Sequence, residues 1–210
     1  MILTGLIFLA SAIAFVFQGQ WAQVGIVLLL VLAAAVPWAV EIWTPACVPV
    51  SLQIQYALLL LAGPYAGGTL GLYRAWPPWD SVVHFYSGFP ITFALVGALG
   101  VTLSVYQLNL PTWFEATGII TAKASAALAW EFGEFIFDQV FHSNAQDNNF
   151  DTMTDMLASL TPGLAITVAL VLYRRKGWFG YIGSLLRIAE ANRQPTASTP
   201  HNVQVRKGHL

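Results

Sequence analysis

Apolar residues along this chain run in long stretches, and polar residues collect in the gaps between them. Six stretches lie at approximately 2–17, 22–43, 49–73, 81–106, 115–141 and 151–173. A bilayer core takes ~20 apolar residues in helical form, so each stretch predicts a membrane-spanning helix, the first one short. Pro37, Pro64, Pro90 and Pro162 fall inside stretches and predict kinks whose freed carbonyls are satisfied by neighbouring helices. Gly63, Gly67 and Gly71 form a small-xxx-small face, which predicts close helix packing. Trp21, Trp38, Trp43, Trp76, Trp79 and Trp113 sit mostly near the ends of stretches, as an aromatic belt does.

Past the sixth stretch, Trp178, Tyr181, Ile182, Leu185 and Ile188 recur at helical spacing and predict an amphipathic helix on the membrane surface. The remainder is polar and rich in Pro, Thr and Ser, the composition of a disordered tail. The expected architecture is therefore an all-α polytopic membrane protein with about six transmembrane helices. It divides into one helical domain over 1–176, an interfacial helix over 177–193 and a cytoplasmic tail over 194–210. Met1 to Phe17 lacks the positively charged start of a signal peptide, and apolar sequence resumes almost at once, so it reads as an uncleaved first span. There is no internal repeat.

Composition agrees with a membrane setting. Hydrophobic residues make up 57% and charged residues 9%, against ~25% charged in an average soluble domain. The net charge of -1 says little about partners, because the charges are sorted by position. Arg174, Arg175, Lys176, Arg187, Arg193, Arg206 and Lys207 all follow the sixth stretch. The positive-inside rule then places the C-terminus in the cytoplasm, and six spans bring the N-terminus there too. Cys47 is the single cysteine, which excludes an intrachain disulfide and a thiolate metal cluster. No basic patch with interleaved aromatics points to nucleic acid.

The acidic residues change the picture most. Six of the ten fall in three sets, Asp80 with His84, Glu131 with Glu134 and Asp138, and Asp151 with Asp155. Spacings of three, four and seven put each set on one helix face. A carboxylate at mid-bilayer costs roughly 2.5–3.5 kcal/mol and normally faces a bundle interior or a wet cavity. If successive spans alternate in direction, the start of the fourth, the end of the fifth and the start of the sixth share one side. That side is opposite Arg174. Glu131 would lie about 15 Å deep at ~1.5 Å per residue, which makes the site a funnel toward mid-bilayer.

Six carboxylates so close, with only His84 as a nearby cation, are not all ionised without compensation. Either several are protonated or a metal ion supplies the charge. Oxygen donors with one imidazole suit a divalent Mg, Mn, Ca, Zn or Fe ion. His84, Glu131, Glu134 and Asp155 are the expected ligands, and Asp80, Asp138 and Asp151 the expected acid, base or supporting groups. Tyr86, Ser87, Thr152 and Thr154 are candidate supporting groups, while His142 and Asp147 read as solvent-facing loop residues. Structural uses compete. Asp80 and Asp151 also fit as N-caps, His84 as an interior hydrogen-bonded histidine, and Asp138 as a solvated interfacial residue.

The motifs themselves have a likeness. Trp79-Asp80-Ser-Val-Val-His84-Phe85-x-x-Gly88-Phe89, Glu131-Phe-Gly-Glu134 and Asp151-Thr152-x-x-Asp155-Met156 resemble, in this order, segments of the YjdF-like bacterial inner-membrane proteins. The likeness covers approximately residues 75–165. Phe150 stands where that family has Trp, and Pro162-Gly163 where it has small residues such as Gly-Ala. More distantly, the order of acids is similar to the VanZ-like proteins, although Met156 and Leu157 replace an Asn-containing continuation. The resemblance implies a membrane protein with one shared polar site and implies no reaction.

Three functions fit these residues. The first is a metal-dependent enzyme acting on a lipid or lipid-linked substrate from the outer leaflet. The second is a non-catalytic membrane subunit whose acidic cluster holds helices together. The third is a proton- or cation-coupled transporter, which needs a path inward through Lys123 and Glu115. The bilayer is the one partner that the sequence specifies; it sets no oligomeric state.

Overall fold

Between apolar helices in lipid there is no hydrophobic drive to associate, so close packing and interhelical hydrogen bonds hold the bundle together. The computed structural model describes residues 1–141, 146 and 148–189. All regular structure among them is helical, in the order α1 (Ile2–Phe17), α2 (Trp21–Ala34), α3 (Val36–Trp43), α4 (Val50–Leu60), α5 (Leu72–Ala75), α6 (Trp79–Tyr106), α7 (Thr112–Phe141), α8 (Asn149–Lys176) and α9 (Gly180–Leu186). A π-helical segment, Leu61–Thr69, continues α4. Each of the six apolar stretches is thus mainly helical. By length and composition three helices among the described residues are long and apolar enough to cross a membrane, namely Trp21–Trp43, Trp79–Tyr106 and Asn149–Lys176, with Ile2–Phe17 a shorter apolar helix. The fifth stretch is not among them, and a π segment interrupts the third.

The proline reading has a direct counterpart at α2/α3. Pro37 has no N–H to offer the carbonyl of Ala33, and Tyr56 of α4 donates its hydroxyl to that carbonyl at 3.0 Å. Near Pro64, inside the π segment, the indole N–H of Trp79 reaches the Ala62 carbonyl at 2.9 Å. The close-packing reading holds for Gly63 and Gly67 and is corrected at Gly71. Gly63 and Gly67 make room for the side chains of Tyr73 and Val83 where the chain turns back, and a Cβ on Gly67 would run into the Tyr73 ring. Gly71 takes no part in that packing. It has φ 81°, a left-handed turn position, with nothing close to its missing Cβ.

Two apolar cores result. One packs α1 against α2 and the α4 end through Phe8, Ala12, Val27, Leu30, Ala34 and Leu60. The other joins α4, α6, α7, α8 and α9 through residues such as Val96, Ile119, Ile166, Leu170 and Leu185. Of the 177–193 expected for the C-terminal helix, Gly180–Leu186 is α-helical among the described residues. Ile182, Leu185 and Leu186 are buried in this second core, while Trp178 stays exposed. The expected tail over 194–210, with Arg193, lies outside the described residues, as do His142 and Asp147.

The α6/α8 contact is the tightest in the bundle's centre. A Cβ built on Gly88 of α6 would stand 2.5 Å from the Ser159 carbonyl oxygen and 2.9 Å from Pro162 of α8. A Cβ on Gly100 would strike the backbone of Leu186. Neither obstacle is a flexible side-chain end, so Gly88→Ala must part α6 from α8. It is expected to lower stability by about 1–3 kcal/mol, read as an earlier melt in detergent, whereas Gly133→Ala, with open space at its Cβ, should leave the melt unchanged. Equal melts for the two variants would contradict this packing.

Candidate functional site

One turn toward the N-terminus of α6 from Gly88 lies His84, and one turn from Ser159 on α8 lies Asp155. The close approach of the two backbones therefore brings these side chains face to face. Ser81 of α6 donates to Asp155 Oδ1 at 3.0 Å. His84 Nε2 stands 3.5 Å from Asp80 Oδ1, and its Nδ1 stands 3.8 Å from Glu131 Oε1 of α7. One potential ligand atom each from Asp80, His84 and Asp155 lies within 4.8 Å of the others. His84, Glu131 and Asp155 are 8%, 4% and 2% exposed, so the cluster is sealed except along Asp80. The alternation argument from sequence is thus matched by geometry, since the three acidic sets sit at one end of an antiparallel α6–α7–α8 core.

The remaining acids form an outer rim. Glu134 accepts from its neighbour Trp130 Nε1 at 2.8 Å and borders a small cavity of about 260 Å³ on the outer side of α7. Asp138 Oδ2 accepts from the Gln146 backbone N–H at 2.9 Å. Asp151 lies in the first turn of α8, half-buried. Neither Asp80 nor Asp151 is an N-cap. Asn148 caps α8, taking the N–H groups of Phe150 and Asp151, and Pro78 occupies the cap position of α6 with no side-chain bond. Both aspartates still face a helix N-terminus, where the partial positive charge favours them.

The candidate supporting residues go elsewhere. Ser87, Thr152 and Thr154 bond carbonyls of their own helices, and Tyr86 donates to the Gln55 carbonyl of α4. Sequence reasoning missed Ser81 and the pair beneath the cluster. Lys123 of α7 is 1% exposed, and its ammonium donates to Ser159 Oγ at 2.9 Å. Its stem crosses Gly163, where a Cβ would meet Lys123 Cγ at 2.9 Å. Thr92 Oγ1, 3.3 Å from the same point, is fully buried and has no hydrogen-bond partner among the described residues. One signal was available, since Ser159 is four residues from Asp155 and so shares its face.

At the opposite end of the core, Glu115 of α7 receives Arg174 of α8 through both Nε and Nη2 at 2.8 Å. This fork-shaped pair neutralises Glu115. Lys123, in contrast, is a buried amine with a neutral partner. An apolar replacement of similar shape removes its desolvation cost and leaves Ser159 its bond to the Met156 carbonyl. Lys123→Met is therefore expected to melt at or above the wild-type temperature. A large drop would mean that the ammonium itself stabilises the bundle.

Comparison with known proteins is consistent with a membrane setting. An uncharacterised protein of Thermotoga maritima is 24% identical over 145 residues, covering 67% of this chain and 71% of that one. No solved structure matches. The family described as Predicted membrane protein (DUF2238) matches residues 1–176, through α8 and both ends of the three-helix core. The chain belongs to that family.

Proposed function

We propose that this is a six-span, YjdF-like protein of the bacterial inner membrane, with cytoplasmic termini, whose cluster binds one divalent cation for chemistry on a lipid or lipid-linked substrate. The observation that carries the reading is the convergence of Asp80, His84 and Asp155 in a nearly sealed apolar setting. Three carboxylates share one imidazole there; such an imbalance is costly away from water, and a cation offsets that cost. Asp80, His84 and Asp155 form the inner ligand set, so Asp80 moves from acid or base to ligand. Glu131, on the other side of the imidazole from Asp80, has the place of a carboxylate that orients a ligating histidine. A bound Mg, Mn, Ca, Zn or Fe ion would polarise a phosphoryl or carbonyl oxygen or lower the pKa of water. Glu134, Asp138 and Asp151, on the rim, would move protons to and from the substrate.

The near closure of His84, Glu131 and Asp155 also favours a second reading, a metal or hydrogen-bonded cluster that only holds α6, α7 and α8 together. The transporter reading is weaker, because Glu115, one of its two inward steps, is taken up by Arg174.

After chelator treatment and its removal, Mn²⁺ or Zn²⁺ should stabilise the wild-type protein by ~2.7 kcal/mol at a hundredfold excess over Kd, read as a rise in melting temperature. His84→Gln and Asp155→Asn should lose that rise, and Glu134→Gln should keep most of it. Metal-loaded protein should then convert a lipid phosphate or ester in vesicles, and Asp151→Asn should slow this by roughly 10²–10⁴-fold while metal stays bound. Metal binding with no turnover of any such lipid would leave the structural reading standing.

A further inference from the structure

The basic end of the core, remote from the acidic cluster, carries a cavity of about 600 Å³ between the end of α6, the start of α7, the end of α8 and the turn after α9. We propose that it binds the phosphodiester headgroup of an anionic phospholipid. The volume is that of a small-molecule site, and Gln107, Asn109, Thr112, Tyr173, Arg174 and Arg187 line it with polar groups. Two guanidinium groups and one carboxylate, Glu115, make up its charge, a surplus of one positive charge.

Both arginines are held in place. Glu115, 4% exposed, takes one edge of the Arg174 fork, which neutralises the carboxylate without using up the guanidinium's donors. Arg187 Nη1 donates to the Tyr173 hydroxyl at 2.9 Å. The wall beneath is braced by the backbone contact between Gly100 and Leu186. Planar guanidinium groups fixed in this way suit a phosphate, which accepts paired N–H donors.

A lipid is favoured over a soluble phosphate by what surrounds the cavity. Tyr106 and Trp113 are 71% and 68% exposed at the same end, and Trp178 and Phe179, directly after α8, are exposed too. Such a ring marks headgroup depth. Arg175 and Lys176 follow Arg174 directly, with Lys176 lying over the Trp178 ring at 4.6 Å. Basic pockets between helices at that depth are where anionic headgroups are held.

Native mass spectrometry of the full chain, with phosphatidylglycerol or phosphatidylcholine titrated into the detergent, tests the proposal. Wild-type protein should retain phosphatidylglycerol and not phosphatidylcholine. Arg187→Gln should weaken retention about fivefold, the effect of one basic residue near an anionic surface. Asn109→Asp, an exposed loop change that adds a carboxylate to the lining, should weaken it too and guards against a folding defect in the first variant. Equal retention of the two lipids, or undiminished retention in both variants, overturns the proposal. Stabilisation by inorganic phosphate without phosphatidylglycerol retention also overturns it, assigning the cavity to a soluble phosphate.

Discussion

The close approach of α6 and α8 governs the rest of this molecule. Helices surrounded by lipid gain nothing by hiding apolar surface from one another, so their contact must come from fit and from hydrogen bonds. Gly88 supplies the fit, because the α8 backbone at Ser159 lies where any side chain on residue 88 would begin. Once that contact is made, helical geometry leaves little freedom. His84 and Asp155, one turn further along, must meet, and the Ser81–Asp155 bond follows. α7 then lays Glu131 against the free side of the imidazole and threads Lys123 across Gly163.

Electrostatics divides the core into three levels. At one end Asp80, His84, Glu131 and Asp155 form a cluster whose negative charges outnumber its single imidazole. At the other, Glu115 and Arg174 neutralise each other through two short bonds. Between them Lys123 and Ser159 make a neutral-partner bond in the driest part of the bundle. An unbalanced cluster is costly in a medium of low dielectric, which is why the cation is proposed at the acidic end and not at the paired end. The paired end instead fixes an arginine at the rim of a cavity.

The placement of the acids was legible in the sequence because it depends on helical period and alternating direction, both of which are local or topological. Asp80, His84, Glu131 and Asp155 were all found that way. Details that depend on tertiary contact were not. Capping was offered to Asp80 and Asp151, but the neighbouring Pro78 and Asn148 hold those positions. Gly71 looked like the third member of a packing face, yet the chain turns there. Lys123 was read, with Glu115, as a step on an inward path, and only the fold reveals that Ser159 and Gly163 make its slot. The helix expected over 177–193 was read from amphipathic spacing, which does not distinguish a bilayer surface from the groove between α6 and α8 that buries Ile182 and Leu185.

The central claim is that three helices build one cation site. Element analysis of protein purified without chelator, wild type beside Asp155→Asn, measures it most directly. Close to one divalent metal per wild-type chain, and its loss in the variant with the fold intact, is the predicted result. A wild-type protein free of metal, or a variant that keeps its full metal content, would contradict the account and leave the carboxylates to be balanced by protons.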